Sequence, residues 1–123
     1  MQYKILRFPG GKTKAVTFSY DDGSKSDIRL ADTLTKYGLK GTFNLNSSNL
    51  HSENYMSVEE IKTHLLDVGH EIAVHGEFHK ALGLCSPLEG IRDVLNCRLE
   101  LEKTFGRIIR GMAYADSGIR NMQ

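Results

Sequence analysis

Apolar positions along this chain alternate between two rhythms, short unbroken runs and spacings of three to four. Ala15, Val16, Phe18 and Tyr20 form the first run. Its apolar, aromatic and β-branched character predicts a buried parallel strand over residues 14–20, which Asp21-Asp22-Gly23 ends. Ile28, Ala31, Leu34 and Tyr37 then recur every three residues before Gly38, predicting an amphipathic helix over 26–37. A second strand is expected over 41–45, and the Asn- and Ser-rich stretch 46–55 reads as a loop built on turn chemistry. Ser57 with Glu60 has the spacing of a capping box, and it opens a helix through Ile61, Leu65 and Val68 that Gly69 stops. Residues 70–74 predict a third strand. Ser86-Pro87-Leu88-Glu89 is a second capping box with Pro at the first helical position, opening a longer helix to Phe105-Gly106. Residues 107–112 are expected to be the last strand, and Pro9-Gly10-Gly11 a turn after an N-terminal edge strand or arm.

The resulting order, β-α-β-α-β-α-β, is that of an α/β fold with parallel strands joined by crossovers, one piece of a sheet or barrel. Working residues in such folds sit at the C-terminal ends of strands. Asp21 and Asp22, His75 and His79, and Tyr114 fall at such ends. At 123 residues and 40% hydrophobic content, residues 1–123 make a single domain.

Charge changes the picture little. Sixteen basic and fifteen acidic side chains leave a net charge of +1 with no basic run, so no nucleic-acid partner is expected. No apolar run is long enough for a secretion signal or a membrane span, which as given points to a cytoplasmic chain with no membrane partner. Were the chain a piece of a longer gene product, it would be secreted or cell-wall-associated. Cys85 and Cys97 lack ligand spacing and read as free or buried thiols.

Candidate chemistry changes it more. Adjacent carboxylates raise each other's pKa, and burial adds to the cost, so Asp21-Asp22 at a strand end calls for a cation. His75 and His79 are four apart, and on a helical turn their rings face one ion. Two His and one Asp leave coordination positions open, the pattern of a catalytic rather than a structural metal site. The other carboxylate is then free to take a proton from a water acidified beside a divalent ion. His51, His64 and His70 have no partner pattern and read as surface or capping residues. Asp27, Asp32 and Asp116 read as solvent or turn residues, and Glu77 as a bystander.

These residues resemble a known family. Thr17-Phe18-Ser19-Tyr20-Asp21-Asp22-Gly23 resembles the first motif of the polysaccharide deacetylases (the NodB-homology domain, carbohydrate esterase family 4), and His75-Gly76-Glu77-Phe78-His79 resembles their second. The resemblance implies an incomplete (β/α) barrel, with Asp21 as general base and Asp22, His75 and His79 as ligands of zinc, or of cobalt or nickel. It implies hydrolytic removal of acetyl groups from carbohydrate containing N-acetylglucosamine. Arg110-Gly111-Met112-Ala113-Tyr114 loosely matches the third motif, implying that Arg110 orients Asp21 and that Tyr114 lies near the oxyanion.

Two departures qualify the match. Gly76 stands where the family carries a Ser or Thr that braces the loop, which puts loop rigidity in question. The fourth and fifth motifs, which carry an Asp and the His acting as general acid, would lie beyond Gln123. The chain is therefore expected to be the N-terminal portion of a deacetylase domain, with an open sheet edge through which it could pair with itself. Two other functions fit this pattern: a carbohydrate-binding or regulatory relic without the acid, and a cyclic-amide hydrolase on the same fold.

Overall fold

The structure, a computed structural model, describes residues 7–115. Its sheet has three parallel strands, β1 (Ser19–Asp22), β2 (Thr42–Leu45) and β3 (Glu71–Val74), with β2 in the centre. The register sets Asp22, Leu45 and Val74 side by side at the C-terminal edge. α1 (Ser26–Lys36), α2 (Val58–Ile61) and α3 (Pro87–Phe105) occupy the connections, and α2 continues through a π-helical turn, Lys62–Leu66. The parallel α/β arrangement expected from the sequence is present.

Local chemistry starts α2 and α3. Ser57 N–H donates to Glu60 Oε2 (2.8 Å) while Glu60 N–H donates to Ser57 Oγ (3.2 Å), and Ser86 and Glu89 repeat the exchange at 3.1 and 3.4 Å. Each exchange satisfies two backbone donors that a helix start leaves bare. Packing then fixes the helices on the sheet. Phe43 and Leu45 of β2, Ile72 and Val74 of β3, Ala31 and Leu34 of α1, and Cys97 and Leu101 of α3 share one buried cluster. Burying a side chain such as Phe43 contributes about 1.5–3 kcal/mol.

Three expectations need correction. The first strand does not run back through Ala15 and Val16, and Val16 is 79% exposed. β2 begins at Thr42, opposite Ser19, so the segment before Phe18 faces the α1–β2 turn and has no ladder to join. The strand expected at 107–112 shrinks to one parallel bridge between Val74 and Met112. Ile109 N–H, which a ladder would need, instead donates to Glu102 Oε1 of α3 (3.0 Å).

His70, read as a surface or capping residue, is buried. Its Nδ1 accepts from Gly41 N–H (3.0 Å), so the proton sits on Nε2, which donates to Thr35 Oγ1 (2.9 Å) and ties α1 to the sheet. The thiols are free as expected, and burial pushes the Cys97 thiol pKa up. No helix among the described residues is long and apolar enough to cross a membrane.

Candidate metal centre

Asp22 lies at the end of β1 and His75 one residue past β3, at the C-terminal edge of the sheet on either side of β2, with His79 on the loop that follows. Asp22 Oδ1 is 3.5 Å from His75 Nε2 and 3.2 Å from His79 Nε2, and the two rings meet edge to face at 5.0 Å. One ligand atom from each residue lies within 4.8 Å of the others. The protonation of His75 is fixed by its other nitrogen. Nδ1 is 3.1 Å from the Ala113 carbonyl, which can only accept, so Nδ1 carries a proton and Nε2 is the nitrogen turned toward Asp22.

Asp22 Oδ1 is buried and makes no hydrogen bond. A carboxylate oxygen buried without a hydrogen bond is costly unless a cation lies beside it. The donor set, one carboxylate and two imidazoles, suits zinc or a similar divalent ion. Among the described residues the non-glycine positions with positive φ are Asp22 (74°) and His79 (53°), so strain falls on two of the three proposed ligands. Gly23 keeps this turn tight: at φ 71°, a Cβ there would stand 2.6 Å from Leu45 Cδ2.

The loop between the histidines is clamped on both polarities. Asn46, buried one residue past the end of β2, donates through Nδ2 to the carbonyls of His75 (2.7 Å) and Gly76 (3.1 Å). Asp93 of α3 accepts from Glu77 N–H (3.0 Å, Oδ2) and Phe78 N–H (3.2 Å, Oδ1). Glu77, read from the sequence as a bystander, accepts through Oε2 from Asn96 Nδ2 (2.9 Å). Beside the ligands lies a depression of ≈ 260 Å³ lined by Asp22, His79, Asn46, Asn49, Tyr55 and Phe78.

A sequence profile described as polysaccharide deacetylase matches residues 6–121. This chain belongs to the polysaccharide deacetylase family. In fold the deacetylase domain is similar to the Streptococcus pyogenes deacetylase PplD in complex with acetate, with a TM-score of 0.82 and 23% identity over 94% of this chain and 51% of that one. It is similar to the peptidoglycan deacetylase PdaC from Bacillus subtilis, with a TM-score of 0.70 and 23% identity over 88% of this chain and 52% of that one. A mutant of a CE4 family pseudoenzyme with restored enzymatic activity gives a TM-score of 0.71 and 18% identity, over 85% of this chain and 37% of that one. The chain thus spans about half the length of the first two. No curated protein matches it in sequence.

The other residues expected at the site are spread more widely. Asp21 is exposed, and its Oδ1 accepts from Asn44 Nδ2 (2.7 Å), which also reaches Ser19 Oγ (2.9 Å). Arg110 is exposed in the segment beside β3, where it lines a depression with Glu71 and Ile72, and no ion pair joins it to Asp21 among the described residues. Tyr114 is exposed, one residue past the carbonyl that holds His75. Asp116 lies outside the described residues.

Asn44, Asn46 and Asp93 escape the sequence reading, although each left a signal. Asn44 and Asn46 alternate with Phe43 and Leu45 along an interior strand. Asp93 stands four residues before Cys97 and eight before Leu101, a charge on the core-facing side of α3.

Proposed function

We propose that this domain is a metal-dependent hydrolase that removes N-acetyl groups from carbohydrate containing N-acetylglucosamine. The observation that carries the proposal is the unpartnered Asp22 Oδ1 facing the Nε2 atoms of His75 and His79. Asp22, His75 and His79 would hold the ion, with zinc the first choice and cobalt or nickel the alternatives. Such an ion, when bound, supplies an acidified water and polarises the amide carbonyl.

The chain's own groups supply the rest. Asp21, exposed and held by Asn44, is the base that takes the proton of the attacking water. The backbone N–H of Tyr114 is assigned to the developing oxyanion. The adjoining depression, with Tyr55 and Phe78 on its walls and Asn46 and Asn49 among its polar groups, has the mixture of aromatic faces and amides that suits a sugar ring.

Acetate release from an N-acetylglucosamine oligomer, measured beside metal content, tests the reading. Asp21→Asn is expected to keep the ion and abolish release; loss of the ion with that substitution would overturn the division of labour between the two carboxylates. One observation favours a second reading, a carbohydrate-binding relic: the base has no cationic partner among the described residues. Oligomer binding without acetate release by the metal-loaded chain would select it.

A further inference from the structure

We propose that Asp93 is a positioning residue for the metal centre, setting the backbone between the two histidines from α3. The inference rests on the metal reading above and concerns how the two imidazoles are held at one spacing.

Asp93 is 3% exposed, yet it is a carboxylate on the core-facing side of a helix. Its side-chain oxygens accept from two successive N–H groups, Glu77 and Phe78, both inside the five-residue segment bounded by the histidines. The Asp93 backbone carbonyl adds a third bond to Glu77 N–H (3.2 Å). No other side chain bonds to this carboxylate among the described residues. A buried anion joined only to the ligand loop serves that loop rather than the core at large.

Gly76 is the other half of the device. Its φ of 88° is a left-handed backbone, and a Cβ there would collide with Asp93 Oδ2. The glycine leaves the space that the carboxylate fills. A hydroxyl at position 76 would brace the loop from within; here the brace comes from α3 and requires the smallest residue at 76. Asn46 takes the loop's carbonyls while Asp93 takes its N–H groups, so the segment is gripped by groups of opposite polarity. Partners of this kind beyond the ligands are commonly worth about 10–100-fold in metal affinity.

Titration of the full chain with Zn2+ and with Co2+, read by calorimetry and by the cobalt d–d absorption, tests the proposal. Asp93→Ala should weaken affinity by roughly 10–100-fold and shift the cobalt spectrum. Asp93→Asn, close in shape and needed should the alanine variant fail to fold, should move both readouts the same way by less. Gly76→Ala should weaken binding in the parent and by less in the Asp93→Ala background, where the colliding oxygen has gone and only the strain of the left-handed backbone remains. Unchanged affinity and cobalt spectrum in a folded Asp93 variant, with only the melting temperature lowered, would overturn this inference alone. A parent chain that takes up neither ion would overturn it together with the metal reading.

Discussion

The two halves of the proposed metal centre are built in opposite ways. Asp22 comes from β1, a strand with a partner on one side among the described residues, and its side chain is 48% exposed apart from the buried Oδ1. His75 follows β3 at 2% exposure, with its tautomer set by Ala113 and its loop gripped by Asn46 and Asp93. The histidine half is ordered by protein groups before any ion arrives. The aspartate half leaves its ligand oxygen without a partner and gains most from one.

Removing ligands gives the largest expected effect. His75→Ala with His79→Ala should reduce bound zinc to none by elemental analysis, whereas Asp22→Asn, which keeps an amide oxygen, should weaken binding by more than about 100-fold without abolishing it. Equal losses would erase the distinction between the halves. Next come the two asparagines. Asn46→Ala strips buried carbonyls and should cost roughly 2–3 kcal/mol in urea unfolding, against about 1 kcal/mol for Asn44→Ala, whose partners are part-exposed. A larger loss at Asn44 would locate the rigid half at β1 instead.

Capping should cost less. Ser86→Ala and Ser57→Ala are each expected to lose about 1 kcal/mol near neutral pH. Their bonds hold the Glu89 and Glu60 carboxyls below the ordinary value of 4.5. The carboxylate part of the Ser86 box is present above that value and lost as pH falls through the lowered folded value, so the gap between Ser86→Ala and the parent should narrow in acid without closing, because the bond from Glu89 N–H to Ser86 Oγ does not titrate.

The smallest effect belongs to Asp27 in the aspartate half, whose pKa burial raises above 3.8, with the charges of Asp22 and Asp21 adding and Ser24 opposing. A raised carboxyl makes the folded state the better proton binder, so stability falls as pH rises from 3.8 through the higher folded value. In the metal-free chain Asp27→Asn should raise the melting temperature by roughly 1–2 °C at pH 7 and leave it unchanged at pH 3.

Helix starts were legible in the sequence because a capping box is local: Ser57 with Glu60 and Ser86 with Glu89 carry their own partners within four residues. Strand ends were not, since Ala15 and Val16 are as apolar as an interior strand requires and only the late start of β2 keeps them out of the ladder. The gathering of His75, His79 and Asp22 within 4.8 Å was legible in the motif spacings. Their bracing was not, because the sequence does not reveal that Asp93 faces a loop from position 76 onward, or that the acceptor for His75 is a backbone carbonyl 38 residues away.

That carbonyl belongs to a segment joined to β3, among the described residues, by two backbone hydrogen bonds, Val74 N–H to Gly111 and Ala113 N–H to Val74. Occupancy of the centre and docking of residues 111–113 are therefore linked equilibria. Whatever factor that docking adds to ion affinity, ion binding returns to the docking, so the segment's amide hydrogen exchange is a gauge of the metal centre.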